Sequence, residues 1–90
     1  MYRVVPTNKF KRDLRIAIKR GCNTALMDVV VTMLSDGKPL PEKYQDHPLK
    51  GNYAGCRECH ITSDWLLIYE ITEGDLILYL TRTGTHSDLF

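Results

Sequence analysis

The chain has 90 residues, of which 43% are hydrophobic and 26% charged, and its formal net charge is +1. So short a chain cannot divide its apolar side chains between two stable cores, so one domain over residues 1–90 is expected. The composition excludes a disordered or membrane-embedded chain, and the small net charge excludes the strongly basic global signature of a nucleic-acid binder.

The longest apolar run, Trp65 to Tyr69, is far shorter than the roughly 20 residues that span a bilayer. The N-terminus turns polar at Thr7 and lacks the apolar stretch of an export signal, so no membrane association and a cytoplasmic location are expected. Three cysteines without an export signal argue for reduced thiols rather than a disulfide framework. Charge is locally uneven: residues 1–20 hold Arg3, Lys9, Lys11, Arg12, Arg15, Lys19 and Arg20 against a single acid, Asp13. Such a patch offers phosphates an electrostatic footing, although charge alone favours reading it as the solvated face of an amphipathic helix.

Residues 2–5 read as a short strand, with β-branched Val4 and Val5 followed by Pro6. Thr7 or Asn8 then caps a helix whose apolar residues Phe10, Leu14, Ala17 and Ile18 recur at helical spacing, and Gly21 ends it. Asn23 or Thr24 caps a second helix with the stripe Leu26, Val30, Met33 and Leu34, stopped by Gly37. From Lys38 to Lys50 three prolines prohibit a regular helix or a central strand, so a loop is expected, long enough to suggest a functional role. His47 lies within it.

After Gly51 the pattern alternates. Strands are predicted over Arg57–Thr62, Trp65–Thr72 and Leu76–Thr81, joined by Ser63-Asp64 and Glu73-Gly74-Asp75 into an antiparallel meander. Both faces of the Trp65 strand are largely apolar, so the helices cover one of them. Thr83–Phe90 carries no clear pattern. The predicted fold is α+β, with two N-terminal antiparallel helices packed on a small, mainly antiparallel sheet in the order β-α-α-β-β-β.

The string Cys56-Arg57-Glu58-Cys59-His60 has the C-x-x-C-H form of haem attachment and of a zinc half-site. Strand parity argues against both, because Cys56 and Cys59 point to opposite faces and cannot chelate one metal. A wider constellation comprises His47, His60, Asp64 in the following turn, Arg82 and His86. A meander sets successive strand ends side by side, which brings such residues to one edge. Cleavage of RNA by its own 2′-hydroxyl needs a base, a charge for the phosphorane and an acid for the departing 5′-oxygen. Histidine, carboxylate and arginine are the groups for those tasks. Each also has a plain structural reading as a packing residue, a turn former or an ion-pair partner. Arg82 shares strand parity with Leu76, Leu78 and Leu80, so a bulge or a strand end is expected near Thr81.

Three strings carry a resemblance: Tyr44-Gln45-Asp46-His47-Pro48-Leu49-Lys50-Gly51; Arg57-Glu58-Cys59-His60-Ile61 with Asp64-Trp65-Leu66-Leu67-Ile68-Tyr69; and Arg82-Thr83-Gly84-Thr85-His86-Ser87-Asp88-Leu89-Phe90. Together they resemble the YafQ branch of the RelE/ParE superfamily of bacterial toxins, over essentially the whole chain. Cys56 and Cys59 stand at strand positions where the pattern does not call for cysteine. The resemblance implies a ribosome-dependent endoribonuclease that cuts mRNA in the 30S A site, needs no metal or cofactor, and is neutralised by a cognate antitoxin. It makes His86 the principal general acid and Arg82 the phosphate-stabilising charge. It also implies that His47, His60 and Asp64 orient the RNA or assist at the 2′-hydroxyl, with the base among them undecided. Phe90 and Trp65 match positions beside that cluster, where Phe90 would stack on a base and Trp65 is as easily core. Lys11, Arg12 and Arg15 on the first helix are the predicted RNA-facing patch. The alternative within the superfamily is a ParE-like poison that binds a protein target such as gyrase and cleaves nothing.

Overall fold

A computed structural model describes all residues, 1–90. The element order is β1 (Arg3–Pro6), α1 (Asn8–Lys19), α2 (Thr24–Ser35), β2 (His47–Pro48), β3 (Arg57–Thr62), β4 (Trp65–Thr72), β5 (Ile77–Gly84) and α3 (His86–Leu89). Single turns of 3-10 helix over Glu42–Tyr44 and Gly51–Tyr53 flank β2. The helix starts follow from capping chemistry. The Thr7 side chain accepts from the Phe10 amide and that of Asn23 from the Ala25 amide, each satisfying a donor that has no partner within the helix.

The strands form one sheet in the order β1-β5-β4-β3-β2. All pairings are antiparallel except β1 with β5, which is parallel and made across the two helices. The predicted α+β class therefore holds, with the expected β1 on one edge of the meander and one change at the other. The proline loop supplies that second edge as a short strand. His47 and Pro48 pair with Glu58 and Arg57, which an edge strand permits because the missing proline N–H can face outward.

α1 and α2 cover one face of the sheet, where Phe10, Ala17, Met27, Val30 and Leu34 pack on Cys59, Trp65, Leu67, Tyr69, Leu78 and Leu80. The other face of β4 is also buried. Leu66 and Ile68 lie beneath Leu89 of α3 and beside Leu49, Tyr53 and Cys56. Full burial of a Leu or Ile side chain contributes roughly 1.5–3 kcal/mol, so β4, buried on both faces, anchors the structure. Cys56 and Cys59 pack on opposite faces, as strand parity requires. Burial pushes the Cys59 thiol up to about 12, so it is expected to resist alkylation by iodoacetamide at pH 8 until the protein is unfolded, as mass spectrometry would show.

β5 departs from its predicted bounds at both ends. Leu76 has φ +53°, a left-handed turn conformation, so the strand begins at Ile77. It runs on to Gly84 because Ile68 pairs with Arg82 while its neighbour Tyr69 pairs with Leu80, leaving Thr81 as the extra residue of a bulge. The bulge resets the parity. Leu78 and Leu80 face the helices, while Arg82 comes out on the face of Ile68.

Candidate active site

Register across the sheet assembles the site. His47 pairs with Glu58, Glu58 with Ile68, and Ile68 with Arg82, so these residues form one row from β2 to β5. Paired residues share a face, and this face is the one opposite α1 and α2. His60 pairs with Leu66 in the next row on the same face. His47, Glu58 and His60 therefore stand on one side of the buried pair Leu66 and Ile68, which Leu89 covers. Arg82 stands on the other, two strand spacings or about 10 Å from Glu58 and His60 and three spacings from His47.

Glu58 is the residue that sequence reasoning missed. Its side chain is almost wholly buried, with Oε1 3.4 Å from His47 Nε2 and 4.0 Å from His60 Nε2. Oε2 has no hydrogen-bond partner. A buried carboxylate is costly unless charge or hydrogen bonds offset its desolvation, and the two imidazoles are what this one faces. A signal was available, since Glu58 and His60 are two apart on one strand and so share a face. His47 is held from behind: Gln45 adopts φ +50° and its carbonyl accepts from His47 Nδ1 at 2.7 Å, which presents Nε2 to Glu58. No group of three or more His, Cys, Asp or Glu side chains is arranged to hold a metal ion.

The Arg82 side is a continuous chain of contacts. Asp13 on α1 accepts from Arg82 Nε at 2.6 Å and Nη2 at 3.1 Å, and Arg82 Nη1 reaches the Tyr53 hydroxyl at 3.4 Å. That hydroxyl in turn reaches the Leu89 carbonyl of α3 at 3.4 Å. His86, exposed on the first turn of α3, stacks on Phe90 with centroids 4.9 Å apart, and Phe90 meets Tyr53 edge-on at 5.5 Å. Tyr53 comes from the loop before β3, and no local pattern marked it.

α3 has only four residues and depends on its fastenings. Thr85 and Asp88 form a reciprocal capping box, and Asp88 also pairs with Arg20 of α1 at 2.6 Å. A Cβ on Gly84 would come within 3.0 Å of the Asp88 side chain, so glycine is what lets the clamp close. The Arg20 hydrogen bond, with help from the Thr85 backbone, lowers the Asp88 pKa to about 2. A depressed carboxylate stabilises the fold above its unfolded pKa near 3.9, and the contribution disappears as pH falls through the folded value. Because the pair is largely solvent-exposed, the effect is local. Between about pH 4 and pH 2 the Leu89 and Phe90 amide resonances are expected to shift before the sheet unfolds, and Asp88→Asn should reproduce that state at neutral pH.

Two further expected site residues lie on the Arg82 side. Asp64 is exposed in the β3–β4 turn and lines a cavity of about 220 Å³ with Asp13, Arg20, Arg82 and Asp88. Trp65 lines the same cavity but is 4% exposed within the helix-side core, with the parity of Leu67 and Tyr69, so of its two expected readings the structure supports core over RNA contact. Phe90, by contrast, is 55% exposed. Lys11, Arg12 and Arg15 are exposed on α1 beside Asn8, around a shallow depression, and none has an ion-pair partner.

Two helices on one sheet face, with histidines, a buried glutamate and a fixed arginine gathered on the other, define a small α+β protein consistent with the RelE/ParE type. Residues 2–90 match the model of the family described as the bacterial toxin of type II toxin–antitoxin systems, YafQ. The chain belongs to that family. It is 39% identical over 85 residues to the mRNA interferase toxin YafQ of Escherichia coli K12, an alignment covering 93% of this chain and 90% of that one. A metal-bound toxin from Helicobacter pylori superposes with a TM-score of 0.94 at 43% identity, covering both chains fully. YafQ in the E. coli DinJ–YafQ complex superposes with a TM-score of 0.89 at 35% identity, covering 100% of this chain and 99% of that one.

Proposed function

We infer that this chain is an mRNA interferase, the endoribonuclease toxin of a type II toxin–antitoxin module, and that it acts as one domain on mRNA in the ribosomal A site. Its similarity to YafQ mRNA interferases supports the class of activity. The observation that carries the chemistry is the row His47–Glu58–Ile68–Arg82, with His60 beside it and His86 alongside on α3. It supplies a base, a charge and an acid on one sheet face, around the apolar cluster of Leu66, Ile68 and Leu89.

His60 takes the proton of the 2′-hydroxyl, and Glu58 stabilises the imidazolium that results, with His47 closing the other side of the carboxylate. Arg82 binds the phosphorane oxygens. His86 protonates the departing 5′-oxygen, and Phe90 stacks on a neighbouring base. A cognate antitoxin is the second partner, as DinJ is for YafQ in its complex. No helix is long and apolar enough to cross a membrane, and a ribosome-directed toxin works in the cytoplasm.

The test is cell-free translation reconstituted from purified parts, with mRNA ends mapped by primer extension. New ends inside translated codons, absent when ribosomes are omitted, are expected. Continued translation of intact mRNA would turn the reading to a ParE-like poison. Two further outcomes are expected in the same system. Toxin stripped with EDTA and returned to magnesium-containing ribosomes should cut at an unchanged rate, because the acid and base are side chains. Replacing Lys11, Arg12 and Arg15 by Glu should raise KM for ribosomes by about 10-fold or more with kcat little changed, since such contacts act on phosphate binding rather than the chemical step. Unaltered KM would remove the α1 patch from the interface.

A further inference from the structure

The only acid among residues 1–20 lies on the inward stripe of α1, between buried Phe10 and Ala17. Its position answers a structural need. β1 ends at Pro6, opposite Leu80, while β5 continues to Gly84, so the outer edge of β5 beyond the bulge has no partner strand. α1 runs along that edge. The Thr7 hydroxyl donates to the Thr81 carbonyl at 2.9 Å, and Asp13 Oδ2 accepts from the Thr83 amide at 3.2 Å. The same carboxylate grips Arg82 through Nε and Nη2.

We propose that Asp13 is the positioning residue of the active site, fixing the Arg82 guanidinium so that its remaining donors point at the scissile phosphate. The proposal rests on the reading of Arg82 given above. A guanidinium has five N–H groups. Asp13 engages two of them and Tyr53 a third, which leaves one on each terminal nitrogen. Those two form the fork that meets two phosphate oxygens. The side chains of Asp13 and Arg82 are 13% and 24% exposed, so solvent competes weakly for the pair. An arginine on a bulged strand end has four rotatable side-chain bonds. Anchoring Nε, the atom where the planar group begins, removes most of that freedom before substrate arrives. α1 holds the other end of the segment too, because Arg20, two turns beyond Asp13, clamps Asp88. One helix thereby sets the spacing between Arg82 and the α3 turn that carries His86.

A double-mutant cycle on ribosome-dependent cleavage tests this, with thermal melts to confirm that each variant is folded. Asp13→Ala is expected to lower kcat by about 10- to 100-fold, the scale of a misplaced catalytic group, with KM for ribosomes within about 2-fold. In an Arg82→Ala background, followed at single turnover, the same change should cost less than about 2-fold, because Asp13 acts through Arg82. Asp13→Glu, which keeps the charge and both acceptors, should recover part of the loss. Equal losses in both backgrounds would assign Asp13 to general support of the fold and overturn the proposal, as would an unchanged kcat in Asp13→Ala. Undiminished cleavage by Arg82→Ala would instead overturn the reading of Arg82 itself. Should Arg82→Ala be too slow to time, the Arg82 Nε–H resonance decides. It should be sharp and slow to exchange in the native toxin and lost in Asp13→Ala; persistence in that variant would overturn the proposal.

Discussion

Replacement of His86 by Ala is expected to reduce cleavage by roughly 10²- to 10⁴-fold, the usual contribution of a positioned general acid. The melting behaviour should hardly change, since substitutions at exposed positions away from caps and cores usually stay within about 0.5 kcal/mol. The structure gives both halves of that expectation. His86 is exposed, its side chain makes no hydrogen bond within the protein, and the capping box of α3 belongs to Thr85 and Asp88. Its ring is nonetheless not free. It stacks on Phe90, which Tyr53 braces edge-on, and Tyr53 is tied to Arg82. Within the spacing that α1 sets, Tyr53 thus links the proposed acid to the proposed phosphate-binding charge. Phe90→Ala should therefore give a smaller loss, divided between base stacking and looser placement of the imidazole, whereas a ParE-like poison would stay toxic in both variants. Rate constants from quenched single-turnover cleavage, beside melts of the same preparations, give the comparison.

Glu58→Gln is expected to separate activity from stability. Cleavage should fall by about 100-fold, because the imidazolium formed when His60 takes a proton loses its carboxylate. Stability should stay level or rise by about 1 kcal/mol, since a buried charge with incomplete hydrogen bonding is replaced by a neutral group of the same shape. The unpartnered Oε2 is the structural ground for that sign. A retained group that weakens the fold is understandable where it serves the chemistry, and this one lies in the row that contains Arg82. Chemical denaturation and single-turnover cleavage measured on one preparation would decide. A full loss of stability with the loss of activity would make Glu58 a structural residue and leave His60 unsupported as the base.

Much of the architecture was legible because local rules agreed with one another. Thr7 and Asn23 cap the helices as their side chains dictate, and the bounds of β3 and β4 coincide with the predicted alternation. The parity of Leu76, Leu78, Leu80 and Arg82 called for a bulge near Thr81, and one is present. The candidate site was legible only in part. His47, His60, Arg82 and His86 are singled out by residue type and by resemblance, and the structure sets them on one side of the sheet. Glu58 carries no such mark beside His60, and of the two readings open for Trp65 its parity favours the core.

The sequence by itself determined the periodic elements, the two-faced burial of β4, the opposite orientation of Cys56 and Cys59, and the chemical inventory for RNA cleavage. These are properties of spacing along one chain, set by the 3.6-residue helical repeat and the two-residue strand repeat. Only the tertiary structure decided which of those groups meet. The row from His47 to Arg82 depends on inter-strand register, the grip of Asp13 on Arg82 spans 69 residues, and the Arg20–Asp88 clamp spans 68. The physical reason is that long-range register follows from how the whole core closes, here with α1 lying along the edge that β1 leaves open, and no local periodicity encodes that closure.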